Sequence, residues 1–129
     1  MEGRSASASI LVVEDDGVQR LWLTDVLETE GFAVLTVANG EAALETLQQS
    51  ETARTPVRAV ITDIQMPGAI NGIDLVRRIR EAWPHIELVV VSGYHQVVET
   101  MPPEVRVLRK PVDESLLLAV VQHIMRGRD

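Results

Sequence analysis

The 129-residue sequence contains no cysteine. Disulfide bonds, thiolate metal sites and cysteine nucleophiles are therefore excluded, and the composition suits a reducing compartment. Aromatic side chains are also scarce, at 3% of the residues. A protein that stacks nucleic-acid bases needs several exposed rings, so this scarcity argues against that class of function.

Positive charge and long apolar runs are in short supply as well. Lys and Arg number 12 against 19 Asp and Glu, which gives a formal net charge of −7. Because this charge repels phosphate backbones, we expect no direct contact with nucleic acid. The longest apolar run, residues 116–121, is far shorter than the roughly 20 residues of a membrane-spanning helix. The first ten residues carry no apolar signal segment, and we expect a soluble, cytoplasmic protein with no membrane partner.

Short apolar runs rich in β-branched residues recur along the chain. They cover residues 10–13, 32–37, 57–61, 86–91 and 105–108. Continuous runs of this length are typical of strands that are buried on both faces of a parallel sheet. The pattern therefore predicts five strands.

Between these runs, apolar residues recur at helical spacing and are bounded by residues that commonly begin or end helices. Five helices are predicted: after Asp16 up to Gly31, after Asn39, after Asn71, from about His95 to Met101, and after Asp113. Alternation of strands and helices indicates an α/β fold in which helices cover both faces of one parallel sheet. We predict the doubly wound, flavodoxin-like strand order 2-1-3-4-5, in one domain over residues 1–129 with an ordered core of about 8–126.

Polar residues stand at the carboxyl ends of the predicted strands. Glu14 and Asp15 follow the first strand, and Asp63 follows the third. Ser92 ends the fourth strand, and Lys110 follows the fifth. Ligands of open parallel sheets bind at this edge, near the point where the strand order reverses. Because the first and third strands are neighbours in the predicted order, we expect their three carboxylates to converge.

Converging carboxylates repel one another unless a proton or a cation lies among them. Oxygen ligands alone favour a hard ion, and Mg²⁺ suits one or two carboxylates together with a phosphoryl oxygen. An ionised Asp63 beside Mg²⁺ is a competent nucleophile toward phosphorus and would form an aspartyl phosphate. Lys110 would neutralise charge on the phosphoryl group, and the Ser92 hydroxyl would donate a hydrogen bond to it.

The segments that carry these residues resemble the motifs of response regulator receiver domains over nearly the whole chain. The matching segments are ILVVEDD at 10–16, TDIQMPG at 62–68, Ser92-Gly93 and Lys110-Pro111. The resemblance implies that Asp63 is the phosphorylation site and that Glu14 and Asp15 are the acidic pair, with Asp15 a direct metal ligand. It further implies that the backbone carbonyl of Gln65 is a metal ligand and that the Lys110-Pro111 bond is cis.

The resemblance also implies the partners. A sensor histidine kinase or a histidine phosphotransfer protein would donate the phosphoryl group to Asp63. The surface around the fourth and fifth predicted helices would then change and be read by a downstream protein target. The protein would promote its own phosphorylation and dephosphorylation, as a signalling module rather than a turnover enzyme.

Three departures from the family pattern stand out. The loop after Asp63 is one residue longer than the usual motif, and Pro102-Pro103 shortens the fourth predicted helix. Val107 occupies the position, three residues before the lysine, where most receivers carry Tyr or Phe as a switch residue. Tyr94, two residues after Ser92, is the candidate replacement for that ring or a shield of the phosphoryl group; the alternative is an exposed loop residue.

Two rival functions share part of this pattern. A receiver-like protein-interaction module that works without phosphorylation is the alternative, and the intact set of acidic residues and Lys110 argues against it. A phosphatase of the haloacid-dehalogenase type would need a second Asp two residues after the nucleophile, where this chain has Gln65. The sequence leaves open the cognate kinase, the oligomeric state and whether the chain is a stand-alone regulator or part of a larger protein.

Overall fold

The computed structural model describes residues 8–66, 68–93 and 101–126. Strands and helices alternate along the chain up to β4. In chain order the elements are β1 (Ser9–Val13), α1 (Gly17–Thr29), β2 (Ala33–Val37), α2 (Gly40–Ser50), β3 (Val57–Asp63), α3 (Gly72–Ala82), β4 (Glu87–Ser92), β5 (Arg106–Arg109) and α4 (Glu114–Arg126).

The five strands form one parallel sheet with the order β2-β1-β3-β4-β5. The predicted strand order and fold class are therefore confirmed. β3 lies in the centre, between β1 and β4, and the reversal of strand order falls between β1 and β3. The carboxyl ends of these two strands consequently meet at the edge where a ligand is expected.

The described residues contain four helices, where the sequence predicted five. The predicted helix from about His95 to Met101 stays a prediction. Residues 94–100 lie outside the described part of the chain, and Met101 does not belong to a helix. Pro102 and Pro103 cannot donate backbone hydrogen bonds to a helical turn, which accounts for the non-helical conformation of residues 101–105.

Three helices begin at the capping residues that the sequence indicated. The side chains of Asp16, Asn39 and Asn71 accept hydrogen bonds from backbone N–H groups of α1, α2 and α3, respectively. Each cap satisfies donors that have no partner within the helix. Gly31, just beyond α1, has a φ of +98°, a conformation that favours glycine after a helix.

The sheet separates two hydrophobic clusters. Alternate residues of β1 point to opposite faces: Leu11 and Val13 belong to the cluster under α2 and α3, whereas Ile10 and Val12 belong to the cluster under α1 and α4. Trp83, just beyond α3, is buried in the first cluster. Among the described residues, no helix is long and apolar enough to cross a membrane.

Candidate functional site

The end of β1 delivers two carboxylates to the edge of the sheet in very different environments. Glu14 follows the buried strand and is only 3% exposed, whereas Asp15 is exposed to solvent. The Glu14 backbone N–H donates to the Val37 carbonyl at 3.1 Å, which continues the contact between β1 and β2. Strand-like pairing thus extends to Glu14 and carries its side chain inward.

The turn after β1 is held by two residues that the sequence did not single out for the site. Arg20 Nη1 donates to the backbone carbonyl of Glu14 at 2.8 Å. The Asp16 backbone N–H donates to Glu14 Oε2 at 3.0 Å, while Asp16 Oδ1 accepts from the first turn of α1. Arg20 of α1 therefore fixes the backbone of Glu14, and Asp16, which caps α1, fixes its side chain.

Asp63 ends β3, and both of its carboxylate oxygens have partners. Oδ1 accepts from the Ile64 backbone N–H at 2.7 Å, and Oδ2 accepts from Lys110 Nζ at 2.8 Å. The residue is 8% exposed. These contacts hold the carboxylate in one orientation at the floor of the site.

Lys110 and Ser92 reach the site from neighbouring strands. The Lys110 backbone N–H donates to the Ser92 carbonyl at 3.0 Å, immediately beyond the Ser92–Arg109 pair of β4 and β5. Ser92 is only 1% exposed. The Lys110-Pro111 bond is cis, which confirms the expectation drawn from the family resemblance.

The loop between β3 and α3 is closed at its base, where Gly72 meets Ile64. The Gly72 backbone N–H donates to the Ile64 carbonyl at 2.8 Å. A Cβ on Gly72 would lie 2.2 Å from the Asp63 carbonyl oxygen, so only glycine fits there. Gln65, in this loop, contributes to the lining of the site.

These elements enclose a cleft of about 490 Å³. Carboxylate oxygens of Glu14, Asp15 and Asp63 lie within 4.8 Å of one another at its base. The cleft is lined by Glu14, Asp15, Asp16, Gln19, Asp63, Gln65, Gly93 and Lys110. The predicted metal and phosphorylation residues are thus brought together, with Ser92 buried directly before the lining residue Gly93.

The environment of the cleft shifts the pKa of Glu14 and of Lys110. Burial raises the pKa of Glu14 from 4.5 to about 7, against the hydrogen bond from the Asp16 N–H, and the negative charge of Asp63 raises it further. Burial alone would lower the pKa of Lys110. Its hydrogen bond to Asp63 and the surrounding carboxylates outweigh burial, and the pKa of Lys110 is raised.

The donor set of the cleft fits Mg²⁺. The three clustered groups are carboxylates, and hard divalent ions prefer oxygen ligands. One ammonium group faces them, so the cluster keeps an excess of negative charge when all three are ionised. A divalent cation would offset that charge and favour the ionised form of Glu14.

Two of the three switch candidates, Ser92 and Val107, lie in the described part of the chain. Val107 is half-buried, lies opposite Val90 in the sheet and packs against the cluster under α2 and α3. Ser92 lies at the carboxyl end of the adjacent strand. Tyr94 lies outside the described residues, so its proposed switch role stays a prediction.

Comparisons with known proteins agree with this geometry. The sequence profile of the response regulator receiver domain matches residues 10–122. The response regulator receiver protein CpdR of Brucella abortus is 35% identical over 106 residues, which cover 79% of this chain and 83% of that protein. The sensor kinase CckA of the same organism is 30% identical over 129 residues, covering 97% of this chain but 13% of that protein.

The fold is shared with solved structures of the same kind. The crystal structure of a response regulator receiver protein from Sinorhizobium medicae has a TM-score of 0.82 and 26% identity, with 95% of this chain and 98% of that chain covered. The matched segment includes the acidic residues, Asp63 and Lys110. The chain belongs to the response regulator receiver family of two-component signalling proteins.

Proposed function

We propose that this protein is a phosphoacceptor receiver in which Asp63 takes a phosphoryl group from a protein phosphohistidine. The observation that carries the proposal is the Asp63 carboxylate at the base of the acidic cleft, 2.8 Å from the Lys110 ammonium. We further propose that residues 1–129 form one receiver domain, since a single sheet contains every described strand.

The chain's own residues supply positioning and charge. An Asp63 oxygen forms the new P–O bond while the P–N bond to the donor histidine breaks, and the departing imidazole keeps that electron pair. The Lys110 backbone N–H donates to the Ser92 carbonyl, and its ammonium donates to Asp63. From this position the ammonium can neutralise a phosphoryl oxygen. The buried Ser92 would offer its hydroxyl to another oxygen of the group.

Glu14, Asp15, Asp63 and the backbone carbonyl of Gln65 would hold Mg²⁺. When bound, this ion neutralises charge on the phosphoryl oxygens during transfer. The carboxylate cluster supports this assignment, because its oxygens already lie within 4.8 Å of one another. Asp15 is exposed and therefore the most accessible to an incoming hydrated ion.

An apolar surface beside the cleft supports a protein as the donor. Val18 and Leu21 of α1 are 80% and 71% exposed. A groove of about 310 Å³ between Trp22 and Pro111 also contains Val18. A macromolecule that presents a phosphohistidine to Asp63 would cover this surface, whereas a small phosphodonor would not. We place this exchange in the cytoplasm, with a sensor kinase or a histidine phosphotransfer protein as donor.

The central test is the substitution Asp63→Asn. We expect it to abolish phosphorylation by acetyl phosphate in the presence of Mg²⁺, because an amide oxygen is a poor nucleophile toward phosphorus. Intact-mass spectrometry measures the phosphoryl adduct, and circular dichroism verifies the fold. An undiminished adduct on the variant would remove Asp63 from this role.

The donor surface has its own test. Leu21→Gln should slow phosphoryl transfer from a phosphorylated histidine phosphotransfer protein that serves the wild type, yet leave phosphorylation by acetyl phosphate unchanged. Equal transfer rates from the protein donor would argue against this surface. Downstream signalling that is indifferent to Asp63→Asn would favour the alternative, an interaction module that works without phosphorylation.

A further inference from the structure

The loop after Asp63 is fixed at its base, directly beside the phosphoacceptor. Its closing hydrogen bond joins the Gly72 N–H to the Ile64 carbonyl at 2.8 Å. The close approach of Gly72 to the Asp63 carbonyl leaves no room for a side chain. The outer residues of the loop are restrained in addition by the element that they contact.

The outer part of the loop rests on the first turn of α2. Glu41 Oε2 accepts a hydrogen bond from the Ala69 backbone N–H at 2.9 Å. Gly68 has a φ of +100°, and a Cβ on it would lie 3.0 Å from Glu41 Oε1. A Cβ on Gly40 would lie 2.8 Å from Ile70 Cγ2. Three consecutive loop residues thus contact two consecutive residues of α2.

The same loop contains Gln65, which lines the acidic cleft. A carboxylate that accepts from a backbone N–H forms a stronger hydrogen bond than a neutral acceptor does. We propose that Glu41 is a positioning residue for the magnesium site: its carboxylate holds the loop at Ala69 and thereby keeps the Gln65 carbonyl in place for the ion. This inference rests on the proposed function, because it concerns the Mg²⁺ of the phosphoacceptor cleft.

Glu41 also has a purely structural role to separate from this one. It lies in the first turn of α2, where a negative charge stabilises the helix. Glu45 is an exposed carboxylate one turn later on the same helix. Glu41→Ala is compared with Glu41→Gln, which keeps an acceptor oxygen, and with Glu45→Ala as the matched control. Because both positions are exposed, all three variants should fold, which urea unfolding verifies.

The first readout is amide hydrogen exchange at Ala69 in the metal-free proteins. Loss of the acceptor should make the Ala69 amide exchange about fivefold faster in Glu41→Ala, with most of the protection retained in Glu41→Gln. Glu45→Ala should match the wild type. If amide exchange at Ala69 were unchanged in Glu41→Ala, the proposal that Glu41 holds the loop would be overturned.

The second readout is Mg²⁺ affinity, measured by calorimetry without a phosphodonor. We expect Glu41→Ala to bind Mg²⁺ about fivefold more weakly than the wild type. This loss is smaller than the roughly tenfold or greater loss that is typical when a residue in direct contact with a metal ligand is changed. Glu41→Gln should recover most of the affinity. If Glu41→Ala bound Mg²⁺ with wild-type affinity, the role of Glu41 would be overturned, but the proposed function would not. If the wild type bound no Mg²⁺ and formed no phosphoryl adduct, the proposed function would fail, and the role of Glu41 with it.

Discussion

Glu14 should destabilise the metal-free protein at neutral and higher pH. Its folded-state pKa of about 7 lies above the ordinary 4.5, so the folded protein binds this proton more tightly than the unfolded chain does. The contribution of Glu14 to stability is therefore fully present below about pH 4.5 and is lost as the pH rises through about 7.

The magnitude follows from the pKa difference. At about 1.4 kcal/mol for each pKa unit, the difference between 4.5 and about 7 corresponds to an upper value of about 3 kcal/mol. A buried Gln amide also loses hydration, which reduces the gain from substitution. We therefore expect Glu14→Gln to raise the free energy of unfolding by about 1–2 kcal/mol at pH of about 8, where Glu14 is ionised. At pH of about 5, where folded Glu14 is protonated, the hydration cost of the amide should cancel or exceed the gain.

Urea unfolding in the presence of EDTA measures this difference, with Glu45→Gln as the matched control at an exposed position of α2. Added Mg²⁺ should reverse the order at higher pH, because the ion stabilises the wild type through a carboxylate that the variant lacks. The reasoning would be refuted if Glu14→Gln were equally or less stable than the wild type at both pH values without metal.

The remaining predictions concern the metal ligand, the switch and the core. Asp15→Asn should weaken Mg²⁺ binding in calorimetry by more than the roughly tenfold cost of changing an outer-shell partner, and equal affinities would contradict the metal assignment. Tyr94→Ala should leave Mg²⁺ affinity unchanged but alter the acyl-phosphate lifetime or the amide shifts induced by beryllofluoride; if neither changes, Tyr94 is no switch. Leu117→Ala, at a fully buried position of α4, should cost about 2–5 kcal/mol in urea unfolding. The control Leu116→Ala, 52% exposed, should cost far less.

Much of the fold could be predicted because its signals are local. Apolar runs marked the strands, and Asn39 and Asn71 marked helix starts through side chains that cap the next turn. The strand order followed from general rules for parallel sheets. The helix expected from about His95 falls on residues 94–100, outside the described part of the chain, and stays a prediction.

The site was predictable in composition but not in detail. Strand ends indicated Asp63 and Lys110, and the structure brings them into contact. The sequence did not indicate the hydrogen bonds of Arg20 to the Glu14 carbonyl and of Glu41 to the Ala69 N–H, because each joins a side chain to a backbone group of another segment. Such contacts leave no spacing pattern in the sequence, since tertiary packing alone decides which backbone group is within reach.

The central position of β3 has a consequence for how this protein could be tuned. Asp63 ends a strand with neighbours on both sides and hydrophobic clusters on both faces, so it should be among the last parts of the chain to open by local unfolding. The acceptor carboxylate is then a fixed point, while the surrounding loops can vary at small cost to the core. Evolution or engineering could therefore reset the duration of the phosphorylated state through loop substitutions, with little loss of folding stability.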